Sequence, residues 1–187
     1  NELYHEKTKE YQNLLDAHWF LTKDIYKWLN TIEELSGKDI KSLSNSNIIL
    51  YKDIARVIHA IDNRLELRGR DSLGISIVLN ADYFSFKDED AKKSKSLEES
   101  FNHIKHDENE SCSFAFRTSS SIGALGDNAR QIKNLIRNNI IFNRLIEGNV
   151  IKSASIIAHT RWASVGKVCL ENTHPILFSQ TRQDNKE

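Results

Sequence analysis

The apolar residues change their period at Gly69, and that change limits the fold more than any other feature. Before it, Tyr11, Leu14, His18, Leu21, Ile25, Trp28, Ile32 and Leu35 recur at alternating spacings of three and four, which puts them on one face of a helix. Leu15, Trp19 and Leu29 widen that stripe. Ser36-Gly37 predicts its end, because glycine accepts the left-handed conformation at a helix C-terminus. The polar run from Ser42 to Asn47 supplies caps for a second helix, whose face is Leu50, Ile54, Val57, Ile58, Ile61 and Leu65. After Gly69 the apolar runs are short, and Leu73–Leu79 is also β-branched. Leu73–Leu79, Ser113–Thr118 and Ser153–Ala158 predict strands, the last running straight into His159-Thr160-Arg161-Trp162. Asp127-Asn128 opens a helix carrying Ile132, Leu135, Ile136 and Leu145. Residues 87–111 are dense in both charge signs and predict a solvated loop, with a helical turn around Leu97–Ile104. The order of elements is α+β, with 1–66 read as a helical hairpin and 67–187 as a mixed unit.

Charge and cysteine content exclude several classes of function. There are 26 Lys+Arg against 26 Asp+Glu among 187 residues, so the formal net charge is zero. Binding nucleic acid or an anionic membrane through charge needs an excess of Lys and Arg, so neither partner is expected. No apolar run approaches the roughly 20 residues needed to span a bilayer. Cys112 and Cys169 lie far apart without C-x-x-C spacing, which indicates neither a zinc ribbon nor a redox pair and suits a reducing cytoplasm. His103 and His106, with Asp107 and Glu108, have no specific ligand pattern and read as a solvated face rather than a metal site. His18, on the apolar stripe, reads as a hydrogen-bonded interface residue. A coil built on the 11–35 stripe would make the protein a homo-oligomer, but the stripe spans few heptads and a core-facing helix is the favoured reading.

The segment from His159 to Pro175, HTRWASVGKVCLENTHP, carries the most specific chemistry. The Arg161 guanidinium is a planar fork that matches a carboxylate in two parallel hydrogen bonds. Trp162 offers a flat surface to cover a small ligand, Ser164 a hydroxyl, and Gly166 a tight bend. A small molecule bearing a carboxylate fits that set.

This segment resembles the glutamine loop of class II glutamine amidotransferases, above all that of the glutamine–fructose-6-phosphate aminotransferases (glucosamine-6-phosphate synthases), HTRWATHG followed by N-A-H-P. Here the residues are HTRWASVG and then Asn172-Thr173-His174-Pro175. A second resemblance lies upstream in the same order. The family's R-G-Y-D-S-A-G leads into a strand, and here Arg68-Gly69-Arg70-Asp71-Ser72-Leu73-Gly74 does so. The resemblance covers roughly residues 65–178 and leaves the helical hairpin as an insertion.

The resemblance implies part of an N-terminal-nucleophile hydrolase domain, an αββα sandwich in which an N-terminal cysteine attacks the side-chain amide of glutamine. Glutamate and ammonia result, and ammonia passes to a sugar phosphate in a separate isomerase domain of the parent protein, for amino-sugar synthesis. No cofactor or metal is implied. Arg161 would hold the glutamine α-carboxylate, and Trp162 would belong to the loop that closes the site. Ser164 replaces the family's threonine and Val165 its histidine. Arg68 and Asp71 would shape the turn near the nucleophile, with His159, Thr160 and His174 supporting the loop. The family's N-terminal Cys-Gly-Ile strand and its later H-N-G motif are absent from these 187 residues, and neither Cys112 nor Cys169 takes the nucleophile's place. Together with the start at Asn1 and the lack of any Met, this is read as the mark of an incomplete chain. The alternative is a non-catalytic module of the same fold kept for binding or assembly, with the helical hairpin as its partner surface.

Overall fold

The computed structural model describes residues 2–85, 98–105, 109–119 and 124–176. The expected features at His106, Asp107, Glu108 and the polar tail from Gln180 lie outside these residues, as does the charged stretch 87–97.

Helix α1 (Glu2–Trp19) continues through one π turn (Phe20–Asp24) into α2 (Ile25–Ser36), and the residues on both sides of that turn remain right-handed helical. The helix stops at Gly37, as its sequence predicts. Gly37 is left-handed (φ 69°) and its N–H reaches Glu33 O at 2.9 Å. After a short 3₁₀ turn, α3 (Asn45–Ala60) begins with the Ser44 side chain accepting from Asn47 N and ends in a second π turn, Ile61–Leu65.

The apolar stripe of the first helix meets the core only at its C-terminal end. Ile32 and Leu35 are buried, whereas Tyr11, Leu14 and Leu21 are exposed. The reason is length. At 1.5 Å per residue, residues 2–36 extend about 52 Å and α3 only about 24 Å, so the first helix outruns the element it packs on. Along α3 and the π turn after it, Leu50, Ile54, Ile58 and Ile61 are buried as expected, while Leu65 turns outward.

Strands β1 (Ser72–Ala81), β2 (Glu99–Lys105), β3 (Glu110–Ser119) and β4 (Ser153–Arg161) form one antiparallel sheet in the order β2-β3-β1-β4. The presence of β2 corrects the sequence reading, which expected loop and helical turn there. Phe101 is the cause. It pairs with Phe114 across the ladder, the rings lie 4.9 Å apart, and it is buried despite its charged neighbours. A second correction concerns the helix from Asp127. It divides into α4 (Asp127–Asn138) and α5 (Ile140–Gly148), because Asn139 leaves helical geometry and its side chain caps α5 by accepting from Phe142 N at 2.8 Å.

One sheet face packs on helices. It presents Leu73, Ile75, Ile77 and Leu79 of β1 and Cys112, Phe114 and Phe116 of β3, against Ile132 and Ile136 of α4 and Phe142 and Leu145 of α5. Phe142 lies edge-on to Phe114 at 5.0 Å and to Phe116 at 5.9 Å. Ile32, Leu35, Leu50, Ile54 and Ile58 of the hairpin belong to the same buried cluster, so the core is continuous across the junction at residues 66–67. On the other face Ser76, Val78 and Asn80 are half-buried and Ser153, Ser155 and Ile157 are exposed. Among the described residues no helix is long and apolar enough to cross a membrane.

Candidate functional site

Residues 68–74 and 159–175 are about ninety positions apart in the chain, and the fold clasps them together. β1 and β4 pair so that Ser72 faces Arg161, Leu73 faces Thr160 and Gly74 faces His159. Asp71 extends this pairing beyond the strand end. Its N–H donates to Arg161 O at 3.1 Å, and its Oδ2 accepts from Ala163 N at 2.6 Å. A carboxylate accepting a backbone N–H makes a strong charge-assisted bond, so Asp71 fixes where the loop leaves β4. Gly69 lies under the same corner, where a Cβ would stand 3.0 Å from the Arg161 carbonyl carbon.

Gly74 sets the loop's return. A Cβ there would lie 1.6 Å from His174 O and 2.7 Å from the His174 carbonyl carbon. The bare backbone therefore leaves a slot in the open face of the sheet, between His159 on β4 and Arg117 on β3, its two ladder partners. The His174-Pro175 backbone fills the slot, and the His174 ring comes to rest 4.7 Å from that of His159. The His159 imidazole is held below its ordinary value by desolvation, with the neighbouring His174 and Arg161 acting in the same direction.

Between these anchors the loop is built around Arg161. Its Nη2 donates to Val165 O at 3.0 Å and its Nη1 to Asn172 O at 3.3 Å, with the bend at Gly166 (φ 89°) just beyond. Within the loop, Thr173 is buried and its hydroxyl donates to Cys169 O at 2.9 Å, and Asn172 Nδ2 donates to Lys167 O at 3.2 Å. Trp162, Ser164 and Val165 point outward, and Trp162 is 66% and Val165 83% exposed. Two carbonyls use only part of the five-donor guanidinium. Among the described residues no carboxylate pairs with Arg161. The arrangement is thus a half-exposed cation with two imidazoles nearby, followed in the chain by an exposed indole. The cation can receive a small anion.

Of the residues singled out by sequence, Asp71, His159, Thr160, Arg161, Trp162, Ser164, Val165 and His174 come together at this corner. Arg68 does not share those contacts. It sits exposed on the preceding turn, with its N–H on Leu65 O. Arg117 is the functional-site residue that sequence reading missed. It is 2% exposed on β3 and donates to the loop carbonyls of Leu170 at 3.2 Å and Thr173 at 3.5 Å. The available signal was a long cation among the small residues Ser111, Ser113, Ala115 and Ser119 at the outward positions of that strand.

The remaining chemistry-bearing residues lie elsewhere. His103 Nε2 meets Glu110 Oε2 at 2.8 Å. The Glu110 carboxyl is held low, first by the Phe84 N–H and then by His103 and Lys105. Cys112 faces the core, where burial pushes its thiol up to about 12, and Cys169 is half-buried in the loop; both thiols are free. A cavity of about 470 Å³ between the hairpin turn and the end of α5 is lined by Lys38, Ser42, Asn47, Glu147 and Asn149. Lys38 and Glu147, its charged groups, neutralise each other at 2.7 Å, leaving no cation or anion for a ligand.

Comparison of the chain with protein-family models, with curated proteins and with solved structures finds no match.

Proposed function

We propose that the corner formed by residues 68–74 and 159–175 is the glutamine-binding part of a class II glutamine amidotransferase domain, whose parent protein hydrolyses glutamine and delivers ammonia to a sugar-phosphate acceptor. One observation carries this reading. The two segments that resemble the family's motifs are the two that the fold clasps together, through Asp71 on Ala163 and Arg161 and through His174 on Gly74. The open charge of Arg161 suits the glutamine α-carboxylate, and Trp162 suits a covering role. The sheet supports the finer fold assignment, half of an αββα sandwich, because helices cover one face and much of the other presents small residues such as Ser76, Ser111, Ser113, Ala115, Ser153 and Ser155, suited to a second sheet. The free thiols suit a reducing cytoplasm.

The nucleophile of such a site is a cysteine at the mature N-terminus and is not Cys112 or Cys169. The rival reading, a non-catalytic binding or assembly module, is favoured by the exposed Tyr11, Leu14, Trp19 and Leu21 on the first helix and by the apolar Val165 at the loop tip.

Glutaminase kinetics on the complete native reading frame decide between them. A charge-assisted pair is worth about 1.5–3 kcal/mol, so Arg161→Ala is expected to raise the glutamine KM about 10- to 100-fold. Absence of glutaminase activity, or a KM unmoved by the substitution, overturns the proposal.

A further inference from the structure

Arg117 has no place in the chemistry proposed above, yet it is the most buried charged side chain touching the loop. It stands at an outward position of β3, on the face opposite Phe114 and Phe116, beside the slot at Gly74. Burying a guanidinium is costly unless its donors are used. Burial lowers the affinity of Arg117 for its proton, partly offset by Glu171. Its Nη1 reaches the carbonyls of Leu170 and Thr173, the two ends of the 3₁₀ turn at Leu170–Asn172 and its cap. Arg161 meanwhile holds Asn172 O in the same turn from the other side. The returning limb of the loop is therefore pinned between two guanidinium groups, one buried and one half-exposed.

A buried ion fixing a surface turn is a poor device for stability, since an apolar side chain of similar volume is often neutral or better there. It is a good device for position, because the fork demands a particular placement of carbonyl oxygens. We infer that Arg117 is a positioning residue: by fixing the 170–173 turn it sets the Asn172 carbonyl against which Arg161 is oriented, and so holds the Arg161 fork ready for its carboxylate ligand. This inference rests on the reading of the loop as a glutamine site.

Cys169 gives a probe inside the loop, and Cys112, buried in the core, gives an internal gauge of global opening. Alkylation of both thiols would be followed in wild-type protein, Arg117→Leu and Arg117→Lys, with and without glutamine. In Arg117→Leu, Cys169 is expected to react about tenfold faster while Cys112 stays slow, because a local anchor and not the core has been lost. The glutamine concentration giving half-maximal protection of Cys169 should rise about tenfold. Arg117→Lys, which keeps one charged donor, should fall between the two in both readouts; if the leucine variant does not fold, the lysine variant decides alone. Equal acceleration of Cys112 and Cys169, or no change in Cys169, overturns the inference. If glutamine fails to protect Cys169 in the wild type while the Arg117 variants still loosen it, the loop anchor stands and the glutamine reading falls.

Discussion

Gly74→Ala is the substitution whose effect follows most directly from the geometry. The added Cβ would lie 1.6 Å from His174 O, and real contacts of this kind do not fall below 3.0 Å. The strand and the loop must therefore separate by about 1.4 Å. β1 is hydrogen-bonded on both sides, so the loop moves and not the strand. A shift of that size takes the Arg117 bonds, at 3.2 and 3.5 Å, and the Arg161–Asn172 bond, at 3.3 Å, out of hydrogen-bond range. Water replaces part of what is lost at Asn172 but not at the buried Arg117. Overpacking alone costs about 1–3 kcal/mol, and loss of the charge-assisted bonds to the loop adds to it, giving a total of about 2–4 kcal/mol. For a chain of this size that lowers Tm by about 5–15 °C. Urea unfolding measures the global term, and the alkylation rate of Cys169 measures displacement of the loop. Stability within about 0.5 kcal/mol of wild type, the ordinary scatter of a surface change, together with unaltered Cys169 reactivity, would refute the claim that the loop returns over this glycine.

Two further predictions concern the fold and its pH dependence. Phe101→Ala should destabilise the protein by about 3 kcal/mol in urea melts, because an edge strand in a charged stretch depends on that one ring against Phe114; a change under about 1 kcal/mol would mean that β2 does not form. His59 and His159 both have folded-state values below the ordinary 6.5, each first through desolvation, with cationic neighbours adding to it. The unfolded chain then binds more protons than the folded one between the lowered values and 6.5. Stability is fully present above about 6.5 and declines as pH falls through the folded values. His159→Asn should flatten that decline in melts between pH 7 and pH 5, and an unchanged slope would contradict the assignment.

How much of this could be read from the sequence follows from how local each cause is. The 3.6-residue period, the Gly37 stop and the Ser44 cap are local, and the helices appear where these place them. The strands at Ser72 and Ser153 carry their own β-branched residues, and the strand at Glu110 carries Phe114 and Phe116 at alternating positions. β2 does not. Its one apolar ring needs a partner from β3, and local charge density concealed it. The break at Asn139 was hidden because Ile136, Ile140 and Ile141 continue the apolar pattern through it, while the decision rests on one side-chain cap. At the candidate site, the loop residues were legible as types, since Arg, Trp and a hydroxyl together suit a carboxylate ligand. The role of Gly74 was not, because a glycine inside a strand says that something approaches closely without saying what. The role of Arg117 required knowing which face of β3 the loop returns across. The exposed start of the first helix was likewise invisible in its periodicity, which marks a face but not whether anything covers it.

The central claim is that Arg161 and its loop receive the α-carboxylate of glutamine. Titration of isotope-labelled protein with glutamine, followed by backbone amide shifts, tests it without requiring turnover. The expected result is a saturable response confined to residues 69–74 and 159–176, abolished by Arg161→Ala and absent when the carboxylate of the ligand is converted to an amide. A response elsewhere in the fold, or one that survives Arg161→Ala undiminished, would contradict the account.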